Sequence, residues 1–262
     1  MEAALPQLGE TYYTQSGHRT PARPPLVLIH GAGGTTLHWP TALRRLPGET
    51  VYAVDLPGHG KSGGVGRQSI GDYAGVVIEW LDRKLIERAI LVGHSMGGAI
   101  AQALALTAPD RVAGLALVGT ATRLRVNEQI LEGARSEKTF AETVALIIKW
   151  SFSPSTPLAT SRAIHQRMLQ VRPPVLHGDY LACNEFEVTD AISAVLVPTL
   201  VIYGTADKMV PERYSRLLAE QIAGATLIPV PEAGHMVMLE QPQVVTAAVA
   251  NYVCRYWGET TP

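Results

Sequence analysis

Six short apolar runs, residues 26–30, 51–54, 90–93, 115–119, 200–204 and 226–230, constrain this chain more than any other feature. Each is four or five residues long, dominated by Val, Ile and Leu, without a regular polar alternation. A strand that is apolar on both faces has to be covered on both, so these runs read as strands buried between two layers. Stretches with helical spacing lie between or after them, at 70–86, 97–108, 211–223 and 244–257. Strand and helix in alternation predict an α/β fold with a mostly parallel sheet, right-handed crossovers and helices on both faces. Residues 11–15 offer a further, antiparallel edge strand. A chain of 262 residues with 47% hydrophobic content suffices for one core of this kind.

One interval breaks the rhythm. Between Arg123 and Val197 no run reads as a strand, and amphipathic pieces at 128–150 and 160–170 are punctuated by Pro154, Pro157, Pro173 and Pro174. Some seventy residues is too long for an ordinary connection. The reading is a core split into residues 1–122 and 198–262, with a helical cap, residues 123–197, inserted over one end of the sheet.

At 93–97 the sequence is Gly-His-Ser-Met-Gly, closing the third run and opening a small-residue helix. Strand, Gly-x-Ser-x-Gly, helix is the pattern of a nucleophile elbow, a turn so sharp that the serine is strained and its hydroxyl stands clear of the sheet. The helix N-terminus adds unpaired N–H groups that favour a developing anion. Ser95 is therefore the candidate nucleophile.

A serine hydroxyl attacks once a base takes its proton, and the base needs a carboxylate to fix its tautomer. With an elbow of this type the acid and then the histidine follow the serine along the chain, on loops at the carboxyl ends of strands. The downstream histidines are His165, His177 and His235. The first two fall inside the cap with no strand before them, whereas His235 follows the run at 226–230. Asp207 stands just past the run at 200–204; Asp190 precedes that run, and Glu232 lies on the approach to the histidine loop. Asp207 and His235 are the candidate acid and base.

The reaction also needs two donors for the oxyanion. Met96, next after the nucleophile, offers one backbone N–H, and Ala32 in His30-Gly31-Ala32-Gly33-Gly34 offers the other. No Gly-x-Gly-x-x-Gly or Gly-Lys-Ser/Thr completes a phosphate cradle in that loop. His30 and His59 read as hydrogen-bonders that fix loops.

The segments LVLIHGAGG at 26–34, VYAVDLPGHGKS at 51–62, LVGHSMGG at 91–98, LVIYGTAD at 200–207 and EAGHMVMLEQP at 232–242 resemble the α/β-hydrolase superfamily across nearly the whole core. The resemblance implies an eight-stranded sheet, a helical cap after the sixth strand, a triad of Ser95, Asp207 and His235, and hydrolysis without a cofactor. It also makes Asp55, in the Asp-x-x-Gly-x-Gly-x-Ser loop, a structural residue. Epoxide hydrolases and dehalogenases of this fold carry aspartate at the elbow, so Ser95 speaks against both, and the oxyanion loop differs from the Gly-Gly-Pro-Gly type of proline iminopeptidases.

The expected activity is cleavage of small to medium carboxylic esters through an acyl-enzyme. An acyl-carrier methyl ester, a lactone or a carbon–carbon bond could be cleaved by the same triad, and a receptor that keeps the triad to bind a small ligand is the alternative from another class. Leu131, Phe140, Val144, Ile147, Ile148, Trp150, Phe152 and Met168 either line a pocket under the cap or pack the cap on the core. Charge there is uneven: residues 123–172 hold eight basic groups against four acidic, a face that could dock an acidic carrier protein or simply be solvated. Over the chain, 22 basic and 23 acidic residues nearly cancel, which argues against nucleic acid and membrane partners. Cys183 and Cys254 form no metal-ligand spacing, so no metal is expected. Residues 1–6 lack a basic segment and a long apolar one, and the expected location is the cytoplasm.

Overall fold

The computed structural model describes residues 11–19 and 23–258, so the N-terminal segment read for targeting lies outside the described residues. In chain order the elements are β1 (Tyr13–Ser16), β2 (Leu26–Ile29), α1 (Thr41–Arg44), β3 (Val51–Val54), α2 (Ile70–Arg83), β4 (Ala89–His94), α3 (Met96–Thr107) and β5 (Val112–Val118). Four helices follow: α4 (Glu128–Ala134), α5 (Glu137–Ser151), α6 (Leu158–Met168) and α7 (Pro173–Glu185). The chain then returns through β6 (Thr199–Gly204), α8 (Glu212–Gln221), β7 (Thr226–Val230), α9 (Val237–Glu240) and α10 (Pro242–Trp257).

The sheet order is β1-β3-β2-β4-β5-β6-β7, with β1 antiparallel to β3 and every other pair parallel. Seven strands, not the eight implied by the family resemblance, form this sheet among the described residues. The one pairing outside it is the isolated bridge Arg123–Glu187, too short to make a strand.

Alternation in the strands explains their unbroken apolar character. Val27, Ile29, Leu91, Leu115, Leu117 and Val201 face one layer, where α2, α3 and α8 contribute Trp80, Ile100 and Leu218. Leu26, Leu28, Ile90, Val92, Ala116 and Ile202 face the other, closed by Leu43 of α1 and by Val245, Val249 and Val253 of α10. Every residue of β2, β4, β5 and β6 is buried. Fully burying one such side chain contributes about 1.5–3 kcal/mol before entropy is counted.

The insertion between β5 and β6 has a small core of its own, in which Ile130, Phe140, Val144, Leu176 and Tyr180 pack together. Asn127 and Ser136 cap α4 and α5 by accepting backbone N–H groups, which divides the amphipathic stretch 128–150 into two helices. The apolar candidates there separate by role. Phe140 and Val144 pack the insertion, Phe152 belongs to the main core, and Ile147, Ile148, Trp150 and Met168 line a cavity. Pro173 and Pro174 mark the start of α7: proline fits the first turn of a helix because its missing N–H has no partner to lose there.

Candidate active site

Ser95 sits between β4 and α3 with φ 52° and ψ −115°, a conformation that costs a non-glycine residue about 1–3 kcal/mol. The surroundings hold it there. Its N–H donates to the Val118 carbonyl at 2.9 Å, and its own carbonyl accepts from Thr120 Oγ1 at 2.9 Å and from the Gly98 and Ala99 N–H groups. The elbow can be this tight only with glycine at 97, since a Cβ there would lie 2.1 Å from the Ile29 carbonyl oxygen.

Asp207 and His235 arrive from the loops after β6 and β7. His235 Nδ1 lies 2.8 Å from Asp207 Oδ2, and both side chains are buried. The other carboxylate oxygen of Asp207 accepts the N–H groups of Met209 and Val210, each at 2.8 Å, so the acid is fixed in rotation and keeps one oxygen for the imidazole. Asp190 and Glu232 are exposed, and Glu232 takes φ 59° on the outer side of the histidine loop. Ser95 and His235 line the same cavity, of about 860 Å³. No hydrogen bond joins Ser95 Oγ to the imidazole, a contact that in enzymes of this mechanism often tightens only with substrate in place.

The expected oxyanion donors are both free. Neither the Ala32 N–H nor the Met96 N–H has an acceptor among the described residues. Ala32, like Ser95, lines the cavity.

Other histidines have different tasks. His94 Nε2 lies 3.0 Å from the His235 carbonyl oxygen, so that nitrogen carries the proton and steadies the histidine loop. Burial and the neighbouring His235 lower the His94 pKa well below the ordinary value, which keeps the ring neutral. His30 likewise donates from Nδ1 to the Gly31 carbonyl and accepts the Leu56 N–H at Nε2; burial, reinforced by His59, keeps it neutral. Asp55 accepts the Thr36 and Lys61 N–H groups at 2.6 and 2.8 Å, binding the loop after β3 to the loop after β2.

Two residues that the sequence did not single out support this geometry. Asp179, in α7, is fully buried; its Oδ2 accepts the Gly33 N–H and faces His59 Nε2, both at 2.8 Å, and its Oδ1 accepts the Tyr73 hydroxyl. His59 Nδ1 faces the Pro57 carbonyl at 3.0 Å. Both nitrogens thus meet acceptors, the pattern of an imidazolium. Burial lowers the His59 pKa, but the charge and hydrogen bond of Asp179 outweigh it and leave the value raised. Glu240 ties the histidine loop to the insertion, accepting the Gly234 N–H at 3.0 Å and the Ser153 N–H at 2.9 Å. Cys183 also lines the cavity, with its thiol pKa raised by burial, so it offers no competing thiolate.

A mostly parallel sheet whose strand ends present a strained serine, a histidine–carboxylate pair and unpaired N–H groups defines the class: a hydrolase scaffold. The chain belongs to the alpha/beta hydrolase family, whose model matches residues 26–249. It is 31% identical over 243 residues to a pimeloyl-[acyl-carrier protein] methyl ester esterase of Pectobacterium carotovorum, covering 87% of this chain and 93% of that protein. A solved thermophilic esterase shares 32% identity at a TM-score of 0.82, covering 94% of each chain. The enol-lactonase of Burkholderia xenovorans LB400 superimposes at a TM-score of 0.86 with 25% identity, covering 93% of this chain and 96% of its own. No helix among the described residues is long and apolar enough to cross a membrane.

Proposed function

We propose that this protein is a serine hydrolase that cleaves carboxylic esters through an acyl-enzyme. In this reading His235 takes the proton of Ser95 as Oγ attacks the ester carbonyl, and Asp207 holds the imidazole in the tautomer with Nε2 free. The negative charge that develops on the carbonyl oxygen is bound by the N–H groups of Ala32 and Met96, each contributing about 3 kcal/mol to the lowering of the barrier. Histidine then protonates the leaving alcohol, and water repeats the cycle to release the acid.

The observation that carries the reading is the convergence of the strained Ser95, the His235–Asp207 pair and two unpaired N–H groups. Residues 123–197 act as a lid in this scheme, since Ile147, Trp150 and Met168 supply cavity wall above the serine. The names of two relatives add a carrier-bound methyl ester and a lactone as substrates of the same chemistry. Both cysteines are free, which suits a cytoplasmic enzyme acting on a small-molecule ester. The test is hydrolysis of p-nitrophenyl butyrate by purified protein. Wild type should turn over, Ser95→Ala should fall to the uncatalysed rate, and an alanine variant that keeps full activity would refute the assignment.

A further inference from the structure

Charge is distributed around the cavity in a way that ester cleavage alone does not require. Arg123, Arg125, Lys208 and Arg213 all belong to its wall, and no Asp or Glu does. The chain as a whole carries a formal net charge of −1, so this is a local concentration and not a sample of a basic surface. Arg123 and Arg125 come from the loop after β5, Lys208 from the loop after β6 and Arg213 from the first turn of α8; β5 and β6 are hydrogen-bonded neighbours, with Val118 opposite Ile202. The same wall includes apolar side chains of α4, α5 and α6, among them Ile130, Ile147, Ile164 and Met168, all buried.

Only part of this charge is neutralised. Glu187 pairs with Arg123 at 2.9 Å and reaches Arg125 at 3.9 Å. Lys208 and Arg213 meet no carboxylate among the described residues; Glu212, next to Arg213, turns to Arg216 instead. Arg213 is already oriented, with its guanidinium 4.6 Å from the centre of the Tyr214 ring and Nη2 donating to the Tyr214 hydroxyl. Four cations against one carboxylate leave a surplus of three positive charges on exposed residues at the cavity mouth, while buried apolar side chains line its interior. Such a mouth concentrates anions and orients an amphiphilic substrate.

We infer that the site takes an ester that carries an anionic group, such as a carboxylate, away from the scissile bond, held at the rim by Lys208 and Arg213 with Arg123 and Arg125 beside them. The inference rests on the ester-hydrolase reading and adds the class of substrate. The anion can belong to the acyl or to the alcohol part, and paired substrates tell these apart: p-nitrophenyl butyrate against mono-p-nitrophenyl glutarate, and p-tolyl butyrate against 4-carboxymethylphenyl butyrate.

At low ionic strength the anionic member of one pair should have about tenfold higher kcat/KM, mostly through KM. That ratio should fall to about twofold in the Lys208→Gln/Arg213→Gln double variant, and for wild type in about 0.5 M NaCl. Both side chains are exposed, so the variant should fold. Equal rates within both pairs, or a preference that survives the double variant, would overturn the inference. So would a preference that appears only when the ester is presented on an acidic carrier protein. Absence of any Ser95-dependent hydrolysis of the neutral members would instead bring down the underlying reading.

Discussion

Removing the carboxylate of Asp179 should cost both stability and turnover, because that one buried group joins α7 to the loop after β2, the loop after β3 and α2. Asp179 is fully buried and takes the Gly33 N–H, the Tyr73 hydroxyl and the imidazole of His59, three partners from three separate segments. Deleting one member of a buried ion pair costs about 3–5 kcal/mol, since the other charge stays behind without its partner. Loss of acceptors for two neutral donors adds about 1–3 kcal/mol each, and deprotonation of the orphaned imidazole takes part of the total back. Asp179→Ala should therefore destabilise by about 4–5 kcal/mol, and Asp179→Asn by about 2–3 kcal/mol. The asparagine keeps the shape and one acceptor but turns an N–H toward a donor. Gly33 follows Ala32 directly, so loosening it disturbs the loop that carries the proposed oxyanion donor, and kcat of the folded Asn variant should fall by about tenfold with a smaller change in KM. Urea unfolding followed by the fluorescence of the four tryptophans gives the stability, and ester hydrolysis gives the rates. A cycle with His59→Gln should show a coupling of about 2 kcal/mol. A cost under about 1 kcal/mol for Asp179→Ala, with no coupling to His59, would refute the reasoning.

Three further outcomes follow from the same geometry. Asp207→Asn should lower kcat by about four orders of magnitude with KM little changed, because it removes the acceptor that sets the His235 tautomer; unchanged kcat would contradict that role. Gly97→Ala should destabilise by about 3 kcal/mol and abolish hydrolysis, since the new Cβ would lie 2.1 Å from the Ile29 carbonyl oxygen; a thermal melt matching wild type would contradict the packing. Stability should fall with acid. Burial, with Arg167 adding to it, lowers the His38 pKa to about 4, and burial lowers those of His30 and His94 well below 6.5. Below about pH 6.5 the unfolded chain takes up protons that these folded rings refuse, so stability is lost toward about pH 4, at up to about 1.4 kcal/mol per pH unit for each ring. His59 acts in the opposite sense: its raised pKa contributes stability fully below about 6.5 and loses it as pH climbs through the folded value. Urea midpoints across pH should show a shallower acid slope in His38→Gln, and an unchanged slope would contradict the neutral assignment.

What could be read from the sequence follows physical lines. Strands β2 to β6 were legible because burial on both faces leaves an unbroken apolar signal, and Ser95, Asp207 and His235 could be singled out because the proposed chemistry asks for those residue types on loops at strand ends. Helix α7 was not, because Pro173 and Pro174 read as breakers when they are the first turn of a helix. Asp179 left no local trace. Its partners Gly33, His59 and Tyr73 lie more than a hundred residues earlier, and a lone acid in a stretch without clear apolar periodicity looks like any solvated one. The separate tasks of Phe140, Phe152 and Met168 were equally hidden, since helical spacing marks an apolar face without saying what covers it.

Everything in the functional account turns on Ser95 being the atom that attacks. The most direct measurement is intact-mass and peptide mapping after brief treatment with a fluorophosphonate, which traps an activated serine in place of the acyl group. The account predicts a single phosphonyl adduct on the peptide carrying Ser95, absent from Ser95→Ala and greatly slowed in His235→Ala. An adduct on another residue, or esterase activity that survives complete phosphonylation of Ser95, would contradict it.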